Sequence, residues 1–427
     1  MFKVLVIAYY YPPLGLSGVQ RTVKFTKYLK KYNWEPTVIT TGSVAYFAHD
    51  KSLLNEVEKA GIRVIRTSAS DPNTVLNKFG TVGMPERLRK ILNRISQTFF
   101  IPDNKVSWSN KAYQIASELL SKETFDVIFV TVPPFSAFNI AAKLKKKFNV
   151  PLFADYRDLW YGNQFAFYPS PLHSHLHKKM EYKALRAADK IIATNRRIKE
   201  KLINYYQFLT FEDIFIIPHG YDDEDFENLP IENKPNSKMR ITYSGIFYEF
   251  ITPKYLLKAF KKISLERPDI SSNIELHFIG LLKNENKKLI GKLNLNDYVF
   301  EHGYLPHKDA LSKTMMSDVL WMMVGHSRNS DTISSGKLYE YFGTRKPIIA
   351  SLPEGALKTA AESYGAAFIT QPNNIDEIKQ VIIHVYELYV KNELPKPNED
   401  FVKQHQREYL TEMLSKQFQF FIKEEVE

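Results

Sequence analysis

Short apolar runs rich in β-branched residues alternate along the chain with longer stretches whose apolar positions recur at helical spacing. In the first half the runs are 4–8, 37–40, 63–65, 127–131, 152–155, 190–194 and 214–217. In the second half they are 240–243, 275–279, 299–301, 319–323, 347–350 and 366–369. Helical patterns such as 20–32, 112–120 and 136–148 lie between most of them. Runs this short and this uniformly apolar read as strands covered on both faces, so the alternation predicts an α/β protein built on parallel sheets. About thirteen strands exceed what one twisted sheet holds comfortably, whereas two doubly wound sheets of six or seven fit.

The segment 221–237 is polar, acidic and contains proline, and it reads as the seam between two domains. A second seam falls at 392–397, beyond which 400–424 has the pattern of one long helix. The predicted organisation is therefore 1–222, 223–397 and a terminal helical segment 398–427. No 20–50-residue repeat is present, which excludes solenoids.

Composition narrows the class. Hydrophobic residues make up 44% and charged residues 25% of the 427, ordinary for a globular chain and wrong for disorder, collagen or a coiled coil. The chain has no cysteine, so disulfides, zinc thiolates, iron–sulfur clusters and a thiol nucleophile are all excluded. The apolar run 4–11 stops at Pro12-Pro13, too early for a secretory signal. The longest uncharged stretch, 127–142, contains Pro133-Pro134 and is shorter than the ~20 apolar residues that span a bilayer. A soluble or membrane-peripheral cytoplasmic protein is expected. The net charge of +11 favours anionic partners such as nucleotide phosphates, acidic lipids or acidic glycans. Lys and Arg are scattered and no nucleic-acid-binding motif occurs, so nucleic acid is not expected.

Ligands of open α/β sheets sit at the carboxyl ends of the strands, where strand order reverses. After the first strand comes Tyr9-Tyr-Tyr-Pro-Pro-Leu-Gly-Leu-Ser-Gly18, then a helix near Val19. Gly15 and Gly18 would let backbone approach an anion at the helix N-terminus, or would simply form a strand-to-helix turn. In the second half, Ser334 or Ser335 can cap a helix starting near Gly336. Lys337 then adds a positive charge where the helix dipole is already positive, which suits a bound anion, and Glu340 follows one turn later. The alternative is a plain capped helix with a solvated Lys–Glu pair.

Asp155, Arg157 and Asp158 stand just past an apolar strand, so they either pair as a structural knot or line a cleft. His173, His175 and His177 alternate like a metal cluster, but only His173 and His177 share a helix face. No metal site is expected there, nor at Asp222-Asp-Glu-Asp225, which reads as a solvated turn. Within 85–101, Leu88, Ile91, Leu92, Ile95 and Phe99 fall on one helix face, with Arg87, Arg89, Lys90 and Arg94 over the rest. Such a face either packs on the domain or lies on an acidic membrane surface.

Assembled in order, several segments resemble family 4 glycosyltransferases. They are Lys3-Val-Leu-Val-Ile-Ala-Tyr-Tyr-Tyr-Pro-Pro13 with Gly18, Asp155-Tyr-Arg-Asp-Leu-Trp160 and Ile216-Ile-Pro-His-Gly-Tyr-Asp222. Tyr243-Ser-Gly245, His302-Gly-Tyr304 and Gly336-Lys-Leu-Tyr-Glu-Tyr341 continue the resemblance. It implies a GT-B fold, two Rossmann-like domains facing across a cleft, with the C-terminal helix crossing back to the N-terminal domain. It also implies retaining, metal-independent sugar transfer from a nucleotide-diphosphate sugar to a glycan or lipid-linked acceptor, with no further cofactor. By position, Ser335, Gly336 and Lys337 resemble the diphosphate cradle and Glu340 the ribose-binding glutamate. Gly15 and Gly18 resemble the opposing glycine loop, Gly245 belongs to the donor side, and Gly303 and Tyr304 lie where the base is held. Asp155, Arg157 and Asp158 fall on the acceptor side, with Arg157, Asp158 and Lys337 as the expected catalytic set.

The sequence departs from the family pattern in three places. Thr332 stands where the first of a pair of glutamates, with seven residues between them, is usual. Ile246, Phe247 and Ile251 stand where Arg and Lys commonly follow the Ser-Gly turn, leaving Lys254 or Arg328 as substitutes. Arg157 falls near the usual position of an N-domain histidine. The Asp-Tyr-Arg-Asp block resembles a subgroup acting in surface-polysaccharide synthesis. Two alternatives stay open: a non-catalytic partner subunit of the same fold, and a nucleotide-sugar epimerase.

Overall fold

A computed structural model describes residues 1–15, 17–42, 49–67, 86–227, 229–230, 234 and 236–424. The chain divides into two compact units, Met1–Pro218 with Arg407–Glu427, and His219–Gln406. Residues 219–222 and 398–406 thus belong to the second unit. They pair with each other, the Tyr221 N–H donating to the His405 carbonyl at 3.0 Å, and Tyr221 and Val402 enter that unit's core. The same pairing interrupts the helix expected over 400–424. Glu399–Lys403 and Arg407–Glu424 are separate helices, with the unit boundary between them.

The first unit holds a seven-stranded sheet of order β3-β2-β1-β4-β5-β6-β7. Its strands are β1 (Phe2–Ile7), β2 (Trp34–Thr41), β3 (Arg63–Thr67), β4 (Val127–Val132), β5 (Leu152–Tyr156), β6 (Lys190–Ala193) and β7 (Ile214–Ile216). Every pairing is parallel. Alternation along β1 sends Val4 and Val6 to one core with Phe129 and Phe153, and Leu5 and Ile7 to the other with Ile128 and Val130. Because both faces are buried, the strand is apolar at every position rather than at every second one.

The helix Arg407–Glu424 closes the Val4 face. Leu410, Leu414 and Phe418, spaced by one turn, enter that core. The Phe418 ring stands 4.7 Å from Phe153, 5.1 Å from Trp34 and 5.8 Å from Phe129, all tilted or edge-on. Trp34 Nε1 donates to Ser415 Oγ at 3.1 Å. Phe418→Leu keeps the apolar volume but loses these ring contacts, and should cost about 1 kcal/mol in a urea titration. An unchanged midpoint would mean that the ring geometry contributes nothing.

The second unit repeats the arrangement in six parallel strands of order β10-β9-β8-β11-β12-β13. They are β8 (Met239–Ser244), β9 (Ile274–Ile279), β10 (Val299–Gly303), β11 (Val319–Met323), β12 (Ile348–Ser351) and β13 (Ala367–Thr370). Strand order reverses between β1 and β4 in one sheet and between β8 and β11 in the other. Those are the two places where a doubly wound sheet opens a crevice at its carboxyl edge.

Candidate functional site

In the second unit, the loops at the reversal point are built for close approach. Gly245, directly after β8, has a φ of 141°, and its N–H donates to the Ile279 carbonyl at 2.7 Å. A Cβ there would collide with Lys337 Nζ. Gly280, at the end of β9, has a φ of 124°, and a Cβ on it would strike the Gly245 carbonyl. Its N–H donates to the Gly303 carbonyl at 2.7 Å. The three strand ends are thereby held backbone to backbone, with no side chains between them.

Lys337 rises from the first turn of the helix Gly336–Thr344 into the space that Gly245 leaves. Its ammonium stands 3.8 Å from the centroid of the Tyr243 ring. Among the described residues it has no carboxylate in ion-pair contact. Burial pushes it down to about 7, only partly opposed by the charge of Glu340. A half-buried lysine facing an aromatic ring, beside the N–H groups of a helix start, is an anion site in its electrostatics. The Tyr341 hydroxyl accepts from the Ser244 N–H at 2.8 Å, which pins this helix to the end of β8.

Glu340, one turn on, lies with Oε2 2.9 Å from Nε2 of His307, a residue the sequence reading passed over. Gly303 closes β10 and Tyr304 follows it, exposed. Ser335 occupies the N-cap position of the helix but makes no side-chain cap bond, contrary to expectation. Ser334 does not cap it either: its Oγ is buried with no hydrogen-bond partner. Thr332, where a family glutamate is usual, is buried and donates through Oγ1 to the Asn329 carbonyl at 2.8 Å. Lys254 opens the helix Lys254–Glu266 with its ammonium 5.5 Å from the Tyr255 ring, and Arg328 is exposed.

In the first unit the Asp155 block is spread over separate partners. Asp155 is fully buried and takes Arg21 Nε and Nη2 at 2.8–3.1 Å, with Thr131 Oγ1 on its second oxygen at 3.1 Å. Arg157 is also buried, and its Nη1, Nη2 and Nε donate to the carbonyls of Gly18, Pro133 and Val132 at 2.6, 2.7 and 3.3 Å. Asp155 is satisfied inside the unit and three of the five N–H groups of Arg157 are used there, so both hold the strand ends in place. Gly18 serves that clamp too, since a Cβ on it would lie 3.1 Å from Arg157 Nη1. Gly15 lies in the same loop, between β1 and the helix Ser17–Leu29.

Asp158 is the member left available. It is only partly buried and has no hydrogen bond or ion pair among the described residues. Burial raises its pKa, with Arg157 opposing the shift.

The histidine trio holds no metal cluster. His177 Nδ1 accepts from Trp160 Nε1 at 3.0 Å, and His173 bridges Ser170 Oγ and the Thr98 carbonyl at 2.8 and 3.2 Å. Among the described residues, no three His, Cys, Asp or Glu side chains converge to hold a metal ion. Asp222 caps the 3₁₀ helix Asp223–Phe226, a turn as expected.

Comparison with known proteins agrees with this layout. Residues 16–225 match the sequence pattern described as Glycosyltransferase Family 4, and residues 222–407 match that of Glycosyl transferases group 1. No curated protein matches the chain by sequence. Among solved structures, a Rickettsia africae glycosyltransferase is similar over 99% of both chains, with a TM-score of 0.67 at 16% identity. Sucrose-phosphate synthase from Thermosynechococcus elongatus also covers 99% of both, with a TM-score of 0.66 at 14% identity. Anabaena HepE in complex with UDP covers 100% of this chain and 98% of its own, with a TM-score of 0.57 at 13% identity. With the two patterns abutting across residues 16–407 and a Rossmann-like parallel sheet in each unit, the chain belongs to family 4 of the GT-B glycosyltransferases.

Proposed function

We propose that the protein is a retaining, metal-independent cytoplasmic glycosyltransferase. It moves a sugar from a nucleoside diphosphate sugar to a glycan or lipid-linked acceptor in surface-polysaccharide synthesis. The observation that carries the reading is Lys337, an ammonium set against Tyr243 at a helix N-terminus with no carboxylate paired to it among the described residues. That arrangement favours a ligand which brings its own negative charge. Glu340 and His307, 2.9 Å apart, offer polar groups one turn away for ribose hydroxyls. The UDP held by HepE makes uridine nucleotides the first to try.

In the reaction, the bond from the anomeric carbon to the diphosphate breaks while a bond to the acceptor oxygen forms on the same face. Charge grows on the departing diphosphate, where Lys337 and the helix N–H groups stabilise it. The acceptor proton passes to that phosphate oxygen, so no separate base is required. Asp158, with its unpaired carboxyl, orients the acceptor hydroxyl.

A nucleoside diphosphate at about 100 times its Kd should add about 2.7 kcal/mol of stability, visible as a raised Tm without added metal. Glu340→Ala should abolish the shift. Lys337 loses its proton above about 7, and the diphosphate favours the charged form. Affinity should therefore fall up to about tenfold per pH unit above that point, and level off below it. A pH-independent affinity would remove Lys337 from the diphosphate site, and no shift with any nucleotide would favour a non-catalytic subunit.

A further inference from the structure

We infer that the helix Glu86–Phe99 docks the protein onto an anionic lipid bilayer through its apolar face. This goes beyond the sugar-transfer reading and does not depend on it. The helix is turned the wrong way round for a packed surface helix. Its polar side holds it to the domain. Gln97 donates to the Phe165 carbonyl at 3.3 Å and accepts from the Phe167 N–H at 2.5 Å. The Arg94 guanidinium lies 5.2 Å from the Phe167 ring, and the Thr98 carbonyl meets His173 Nε2 at 3.2 Å.

At 100° per residue, Ile91, Leu92, Ile95 and Phe99 gather on the side opposite Gln97. They are exposed: Ile91 by 54%, Leu92 by 43%, Ile95 by 49% and Phe99 by 77%, continuing into Phe100 at 41%. Single exposed apolar side chains are ordinary, but a contiguous row of five needs an occupant. Pro85 and the side chains of Arg87, Leu88 and Arg89 lie outside the described residues.

Charge selects the occupant. The helix Glu86–Phe99 carries four cations (Arg87, Arg89, Lys90 and Arg94) against one acidic residue, Glu86 at its first position. Apolar residues along one side, with lysine and arginine over the remainder, suit the boundary between anionic headgroups and acyl chains. An apolar groove on another protein would need no such excess of positive charge. Because Gln97 and Arg94 already fix the polar side, the apolar row is pre-organised and no helix has to fold on binding.

The test is co-sedimentation of the full chain with vesicles of phosphatidylglycerol and phosphatidylcholine, and with phosphatidylcholine alone. Wild type should bind the mixed vesicles, bind phosphatidylcholine far less, and lose affinity as salt rises. Ile95→Asp and Phe99→Asp should each weaken binding roughly 10- to 100-fold, with Tm and nucleotide-induced stabilisation unchanged. Lys90→Glu should weaken it several-fold and flatten the salt dependence. Binding unaltered by the aspartates would overturn the proposal. So would an absence of vesicle binding together with a wild-type dimer that the same variants dissociate, which would make a second copy the occupant. The nucleotide control keeps failure here separate from failure of the donor site.

Discussion

Lys337→Ala is expected to lower kcat by about 10²- to 10³-fold, the range seen when one pre-organised group facing developing charge is removed. The side chain is placed rather than free. It occupies a space that exists only because residue 245 has no Cβ, and it rests 3.8 Å from the Tyr243 ring centroid. Its charge is costly there without an anion, as the depressed value of about 7 records. The cost is relieved most when the leaving diphosphate carries its full charge, so the interaction strengthens along the reaction. kcat/KM should therefore fall more than kcat, with the donor KM raised because the ground-state diphosphate also loses the charge.

Gly245→Ala supplies an independent arm. The new methyl would collide with Nζ and force the ammonium off the ring, so turnover should drop with Lys337 still present. Equal activity in wild type and both variants, measured at saturating donor, would end the assignment.

The strands were legible because parallel strands buried on both faces are continuous apolar runs, and each run placed in the sequence became a strand within one to three residues at its ends. What escaped were features set by distant partners. The break at 404–406 depends on Tyr221, far back in the chain, pairing with His405. The ring beneath Lys337 belongs to a strand that ends about ninety residues earlier. Nothing local to His307 announces that it meets Glu340, although its place at the helix start after Gly303-Tyr304 is a signal that could have found it. Glu181 was equally hidden. It is fully buried, bound by the Tyr156 and Tyr206 hydroxyls and the Tyr161 N–H, and burial raises it to about 7. The helix start that carries Lys337 and Glu340, and the glycine that follows β8, were readable because helix starts and strand-end glycines are local signals. The Asp155 block was read either as a structural knot or as the lining of a cleft; its charges share no hydrogen bond, Asp155 taking Arg21 and Arg157 taking three backbone carbonyls.

That block carries the second large effect. Asp155→Ala should destabilise the protein by about 3–5 kcal/mol, because it leaves the Arg21 guanidinium charged in a fully buried position. Arg21 would keep its bonds to the Pro218 and Ile217 carbonyls at 2.7 and 2.9 Å, which soften the loss without neutralising the charge. Those carbonyls close the first unit, so the pair also anchors the last residues before His219. Arg21→Leu removes the charge but strands both carbonyls and the Asp155 carboxylate, and should be as damaging. The double variant Arg21→Leu/Asp155→Leu has no buried charge left and only neutral groups unsatisfied. It should lose several kcal/mol less than the sum of the two single variants. Urea unfolding of all four proteins measures that coupling directly. Strict additivity would mean that the two side chains act separately, Arg21 as a carbonyl clamp and Asp155 as an acceptor for Thr131, and that the ion pair contributes nothing to the strand ends it sits beneath.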